Sequence, residues 1–336
     1  MKTYHIPVFV PHKGCPHDCI FCNQRQITGQ CEDTSPGEVK SIIDDHLTTM
    51  EGEYYAEVAF FGGSFTGIDI ELQRELMEAA YPYVESGKIH GIRCSTRPDY
   101  INKEVLDNFQ KYGGKSIELG VQSTDEEVLR KSHRGHSFED VKKGAALIKE
   151  RGLELGVQMM LGLPGDTKEK MIKTASDLIS LEPACVRIYP TLVVKDTGLY
   201  AMSQRGEYTP LTVEEAVDVL SIVIPMFKKA GVDVIRVGLQ TTDEINESTV
   251  EGPYHPAIKE LAEGRIFRNV MENHVQELKL APEVFCHPSK VSVTIGHKGC
   301  NKAYFAHNYG ITLKVKPMVG IGIDELKICD KIVAIY

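Results

Sequence analysis

The chain has 336 residues, 42% of them hydrophobic and 25% charged, which suits one large domain or a barrel-sized domain with a smaller partner. A formal net charge of -9 argues against a surface coated for nucleic acid, because phosphate binding draws on Lys and Arg, although a local basic patch is compatible with it. No run approaches the roughly 18 uninterrupted apolar residues of a membrane span, and nine cysteines, odd in number and mostly far apart, read as reduced thiols of a cytoplasmic protein.

In chain order, "HIPVFV" predicts a first strand; the apolar run around it is interrupted by Pro7, Pro11 and His12 and has no small-residue cleavage site, so it does not read as a signal peptide. Further strands are predicted at "EVAFFGG", "GIRCSTRP", "SIELGVQS", "LELGVQMMLGLPG" and "CVRIYPT". Amphipathic helical stretches lie between them, at Asp69 to Gly87, Asn102 to Tyr112, Asp125 to Lys131, Glu139 to Arg151 and Lys168 to Leu181. Six β/α units in order predict an α/β fold: a parallel sheet curled into a partial (β/α)6 TIM-like barrel. Chemistry in such barrels sits where the strands end, and the polar and glycine residues there are Gly62, Gly63 and Ser64, then Ser95 to Arg97, Gln122, Gln158 with Gly162 to Gly165, and Tyr189.

A helix from Thr212 to Ala230 and a strand "VDVIRVGLQTT" follow, closing a first domain at 1–245. A connecting segment, 246–264, contains the turn and helix of "EGPYHPAIKELAEG", and the texture then changes. Between Val284 and Gly322 there are five lysines and no acidic residue, which marks 265–336 as a small α/β module; Arg268 to Leu280 is expected to be a helix packed on its sheet.

Cys15, Cys19 and Cys22 in "CPHDCIFCN" have the spacing C-x3-C-x2-C, close enough to share one centre. Zinc is one reading, with His12 or His17 as a fourth ligand, since closed zinc sites use four protein ligands. The other is a 4Fe-4S cluster, in which three thiolates leave one iron open to an outside ligand. With aromatic Phe21 before the third cysteine and a partial barrel downstream, the motif resembles the radical S-adenosylmethionine (radical SAM) superfamily. That resemblance implies a cluster on Cys15, Cys19 and Cys22, S-adenosylmethionine on its open iron, a 5′-deoxyadenosyl radical as the reactive species, and a reducing donor such as flavodoxin or ferredoxin.

The resemblance also assigns cofactor contacts. "FFGGSF" looks like the superfamily's Gly-Gly-Glu loop, with Gly62 and Gly63 kept and Ser64 in place of the acid. By position against the subgroup that includes anaerobic coproporphyrinogen oxidase, Ser95, Gln122, Gln158 and Arg134 would meet the methionine and ribose, Arg134 as a two-pronged carboxylate partner. His133 and His136 flank Arg134, and Tyr189 and Lys195 follow the sixth strand as further candidates for substrate contact. "STRPD", "ELGVQS", "RGHS" and "RIYPTLVVKDTGLY" with "GEYTPLTVEEAV" resemble the radical domain of the Elongator catalytic subunit, which modifies the wobble uridine of transfer RNA. That subunit continues into an acetyltransferase domain; nothing after the resembling region reads as a pyrophosphate loop, so its carboxymethylation reaction is not carried over.

In the last module, Gly296, His297, Lys298 and Gly299 stand before a helical stretch and an alternating strand, Ile311 to Val315, a pattern resembling a KH domain, whose GXXG loop clamps single-stranded nucleic acid. RNA, most naturally tRNA, is then the expected partner, with Lys298 and Lys302 supplying charge. The competing expectations are a lid over a barrel that takes a small substrate, as in coproporphyrinogen oxidation, and a zinc-stabilised RNA-binding protein without catalysis. Cys94, Cys185 and Cys329 read as buried apolar residues, and Cys31, Cys286 and Cys300 lie too far apart in sequence to suggest a second cluster.

Overall fold

The computed structural model describes residues 2–10, 19–23, 34–239 and 247–336. Cys15, His12, His17 and Cys31 lie outside the described residues. The first unit consists of β1 (Lys2–Val10), α1 (Pro36–Leu47), β2 (Tyr54–Gly62), α2 (Ile70–Glu85), β3 (Gly91–Thr96) and α3 (Lys103–Lys111). It continues through β4 (Gly114–Gln122), α4 (Glu126–Lys131), α5 (Phe138–Glu150), β5 (Glu154–Leu161), α6 (Lys168–Ile179) and β6 (Cys185–Pro190). After β6 come β7 (Val193–Val194), α7 (Gly198–Gln204), α8 (Val213–Lys229), β8 (Asp233–Val237) and β9 (Thr249–Glu251). Local chemistry starts the helices: Ser35 with Glu38, Ser137 with Asp140 and Thr212 with Glu215 form reciprocal capping boxes at α1, α5 and α8.

Seven strands form one parallel sheet in the order β1-β2-β3-β4-β5-β6-β8. The strand expected beyond the sixth unit is thus the seventh member of the same sheet. Side chains alternate across it. Ile6, Val8, Val58, Phe60, Ile92, Ile117, Leu119, Val157, Val186 and Ile188 are fully buried on the helix-covered face. The opposite, concave face carries His5, Glu57, Arg93, Glu118, Gln158 and Arg187. A bulge between Gly120 and Gln122 breaks the β4–β5 register, and Gln122 sits there at φ 71°.

The remaining elements are α9 (Ile258–Glu272), α10 (Val275–Leu280), β10 (Glu283–Cys286), α11 (Val291–Ile295), α12 (Cys300–Tyr309), β11 (Lys314–Pro317), β12 (Glu325–Ile328) and β13 (Lys331–Ala334). A second sheet has the order β11-β10-β12-β13, with β10 and β11 parallel and the other pairs antiparallel. Strand β10, helix α11, the loop Gly296–Gly299, helix α12 and strand β11 follow one another. Helix α9 runs across residue 265, where the second module was expected to begin. Its Ile266, Phe267 and Met271 belong to one buried core that extends from the barrel helices to Phe305, Leu326 and Ile328.

Three local expectations are corrected. The helix from Arg268 to Leu280 is two helices, α9 and α10, broken at Asn273 and His274. The strand expected over Ile311 to Val315 pairs only from Lys314 to Pro317, because Ile311 and Leu313 turn into the core before the ladder starts. Cys329 is only half-buried and sits at φ 51° in the turn between β12 and β13, whereas Cys94 and Cys185 are buried as expected.

Candidate active site

Cys19 and Cys22 lie past the C-terminal end of β1, joined by a turn in which Cys22 N donates to Cys19 O at 2.9 Å. Two distant parts of the chain fix the segment. Ile20 N donates to Ser132 O at 3.3 Å, Leu199 N donates to Ile20 O at 2.7 Å, and Asn23 Nδ2 donates to Lys195 O at 3.3 Å. Ile20 packs with Val193, Leu199 and Tyr208 in a small apolar cluster, against which Phe21 is half-buried. Burying an isoleucine in this way contributes about 1.5–3 kcal/mol. The stretch from "RIYPTLVVKDTGLY" to "GEYTP" therefore has a physical task, to hold the cysteine segment in place. Tyr208 ties this platform to the β5 loop by donating to Gly162 O at 2.6 Å.

Arg134 reaches the cysteines from the loop after α4. Its Nη1 lies 3.5 Å from Cys19 Sγ and its Nη2 donates to Gly120 O, with only 7% of the residue exposed. Gly120 leaves the space for it: a Cβ there would stand 2.9 Å from Arg134 Nη2. On the next loop, Gly63 N donates to Val10 O at 3.1 Å, and Gly62 has φ +115° with an added Cβ 2.6 Å from Val10 O. Gly62→Ala is accordingly expected to cost roughly 2 kcal/mol in urea unfolding, from backbone strain alone; a cost near zero would show that the loop relaxes freely.

Ser64 has another task than the acid it stands for. Its Oγ is 2.7 Å from Thr96 Oγ1 and accepts from Arg97 N at 3.1 Å, stitching the β2 loop to the end of β3, and Thr66 joins the same hydroxyl pair at 2.6 Å. Ser95 and Gln158 are brought together, Gln158 Nε2 donating to Ser95 Oγ at 3.1 Å and to Glu118 Oε2 at 3.2 Å. Gln122 lies against Arg134 and Gly120, so the four side chains expected to hold a cofactor line one end of the concavity.

Buried polar atoms at this end without a partner among the described residues include Arg97 Nη1, Gln122 Oε1, Arg134 Nε and both ring nitrogens of His136. Each such group costs about 1–3 kcal/mol when left unpaired. Their chemistry, two guanidinium N–H donors, an amide oxygen that accepts and a neutral imidazole with one donor and one acceptor, all near a thiol, fits a ligand with a carboxylate and further polar groups such as an amine. His136 is pulled down to about 3 by burial and by the Arg134 and Arg97 charges, so it is neutral at working pH. Below the unfolded value of 6.5 the unfolded chain takes up a proton that the folded one refuses, so stability falls as pH drops from 6.5 towards 3. The expected loss is about 1.4 kcal/mol per pH unit, and His136→Gln should flatten urea-derived stability between pH 7.5 and 5.5 by that amount. His133 is exposed, at φ 52°.

One layer in from the strand ends is a charged network that sequence reasoning missed. Arg93 Nε is 3.0 Å from Glu57 Oε2, its Nη2 donates to Ser116 Oγ at 3.0 Å, and His5 Nε2 is 3.0 Å from its Nη1. Glu118, 1% exposed, accepts from Arg187 Nε at 2.5 Å and Nη2 at 3.1 Å, with Arg93 Nη1 at 3.7 Å. Burial alone would raise the Glu118 carboxyl, but the bonds and charge of Arg187, then Arg93, hold it below the ordinary range. Burial and the two arginines pull His5 down to about 4.

At the far module, the Gly296–Gly299 loop precedes α12, and Lys298 itself sits at φ 51° with its side chain exposed. Lys302 is also exposed. Two of the five lysines are neutralised by acids from outside the stretch, Lys290 by Glu263 at 3.1 Å and Lys316 by Glu283 at 2.8 Å. No helix among the described residues is long and apolar enough to cross a membrane.

A model of the radical SAM superfamily matches residues 9–178, and a model of the Radical_SAM C-terminal domain matches 183–268. The tRNA uridine(34) acetyltransferase of Methanocaldococcus jannaschii is 32% identical over 256 residues, covering 64% of this chain and 47% of that protein. Human Elongator complex protein 3 is 28% identical over 302 residues, covering 76% of this chain and 54% of that one. The chain thus spans about half the length of these curated relatives. Among solved structures, archaeal Elp3 from Methanocaldococcus infernus, with an N-terminal deletion, superposes with a TM-score of 0.62 at 26% identity, over 81% of this chain and 63% of that one. A curled parallel sheet with thiols beyond its first strand, and a family match over half the sequence, lead to one assignment: this chain belongs to the radical SAM superfamily, whose cofactors are a 4Fe-4S cluster and S-adenosylmethionine.

Proposed function

We propose that the protein is a radical SAM enzyme that modifies a tRNA base, with the Gly296–Gly299 loop as an RNA dock. The observation that carries the reading is the meeting of Cys19 with Arg134 beside unpartnered buried donors at the C-terminal end of the sheet. When bound, the cluster and S-adenosylmethionine supply one-electron cleavage and a 5′-deoxyadenosyl radical that abstracts hydrogen. In this reading Cys15, Cys19 and Cys22 hold the iron, and Arg134 and Gln122 bind the methionine carboxylate and amino groups. Ser95 and Gln158 face the ribose, and Gly62 and Gly63 contribute backbone only, since the Ser64 hydroxyl is committed to Thr96 and Arg97. His136, uncharged, adds a hydrogen-bonding group to this wall without adding to its positive charge. An external low-potential donor such as flavodoxin or ferredoxin completes the electron supply.

The tRNA substrate is supported by the names of the relatives, a tRNA uridine(34) acetyltransferase and Elongator complex protein 3, and by the exposed Lys298 and Lys302 on the GXXG loop and helix. The deciding experiment is 5′-deoxyadenosine formation by the reduced, anaerobically prepared protein with and without unmodified tRNA. A rate that rises with tRNA is expected, and one indifferent to it overturns the RNA substrate. In a second measurement, Lys298→Glu with Lys302→Glu should lower the slope of log affinity against log salt by about 2 and weaken all tRNAs alike. An unchanged slope removes the loop from the RNA interface.

A further inference from the structure

One rung of the sheet links the cofactor wall to an unbalanced charge. Gly120 on β4, Gln158 on β5, Arg187 on β6 and Arg236 on β8 are consecutive Cα partners, so their side-chain directions share the concave face. Gly120 O holds Arg134 at one end, and three strand spacings, roughly 14 Å, separate it from Arg236 at the other. Arg187 and Arg236 are direct cross-strand neighbours of like charge. Arg187 has a counter-ion, Glu118, which is shared with Arg93 and Gln158. Arg236 has no ion pair among the described residues; its Nε donates only to Gly238 O, at 3.3 Å. Tyr189, two residues beyond Arg187 on the same face, has its phenol raised by burial while the charges of Arg187 and Arg236 oppose that rise. The other carboxylates of the concave face, Glu57 and Glu154, lie against Arg93, away from this edge.

Two guanidiniums side by side, one with no ion pair among the described residues, with a phenol above them in a concavity, form an arrangement that a bound oxyanion completes. We propose that Arg236, Arg187 and Tyr189 bind the oxyanion group, carboxylate or phosphate, of a small second substrate in the barrel concavity, across from the cofactor wall. The inference rests on the reading of that concavity as the reaction chamber and adds to it the class of molecule that enters.

The test is isothermal titration calorimetry on the anaerobically prepared holoprotein at constant ionic strength, with malonate and inorganic phosphate as separate probes and neither S-adenosylmethionine nor RNA present. One probe is expected to saturate a single site, and which one does so tells carboxylate from phosphate. Arg236→Gln should weaken it at least tenfold, Tyr189→Phe severalfold, and Lys314→Gln, an exposed lysine of β11, not at all. Circular dichroism checks that each variant is folded, and Tyr189→Phe remains a test should Arg236→Gln fail to fold. Failure of both probes to bind the wild type, or equal binding by folded Arg236→Gln and Tyr189→Phe, overturns the inference. The tRNA-stimulated cleavage assay uses neither probe, so absence of anion binding by the wild type with that assay intact overturns this inference alone.

Discussion

Replacing Cys19 with alanine removes the iron, the brown thiolate-to-iron absorbance and all 5′-deoxyadenosine formation above background. The expectation follows from the count of ligands. Three thiolates already leave one iron without a protein ligand, and a cluster on two has no third anchor. The variant should still fold, because the segment is held by Ile20 in its apolar cluster and by the backbone bonds to Ser132 and Leu199, not by the sulfur. Cys300→Ala, at an exposed thiol at the start of α12, is the matched control and should change nothing. Retention of iron and activity by Cys19→Ala would dismantle the cluster assignment, as would a colourless wild-type protein carrying one zinc.

The largest effect on stability is expected from Glu118→Gln. The carboxylate serves two arginines and a glutamine at 1% exposure, so the amide leaves Arg187 and Arg93 short of a counter-charge in a place that water hardly reaches. Removing one partner of a buried pair costs about 3–5 kcal/mol, whereas replacing both by apolar residues of similar volume costs far less. Urea unfolding of Glu118→Gln against the double variant Glu118→Leu with Arg187→Met separates the two. A single variant within about 1 kcal/mol of wild type would mean that the concave face is hydrated well enough to screen the loss.

The large sheet was legible because its strands are short, β-branched and separated by amphipathic helices, and because five of them lead into Gly, Ser or other polar residues. The pieces that escaped are those with too little sequence to show a period, such as the four-residue strands β10, β12 and β13. The cysteine triplet announced itself by spacing, but its seat did not. Asn23 and Lys195 are 172 residues apart in sequence, and no local pattern links them. Likewise His5, Glu57, Arg93, Glu118 and Arg187 each look like one polar residue in an apolar strand, the mark of a half-solvated face. Only the register shows that they point into the same enclosure. Ser64 was read for the acid it lacks, while its bond to Thr96 depends on a loop brought across from the next strand.

The docking of the cysteine segment on the platform between Val193 and Tyr208 sets a timetable for making the protein. At the ordinary pace of translation, the 172 residues between Asn23 and Lys195 take on the order of 10–30 s to emerge. Throughout that interval Cys19 and Cys22 are already outside the ribosome while the wall that seats them is still being synthesised. With Cys19 and Cys22 as the proposed iron ligands, the thiols made first are positioned last, so cluster delivery would belong to the finished barrel, and a chain truncated before Val193 should accept no cluster at all.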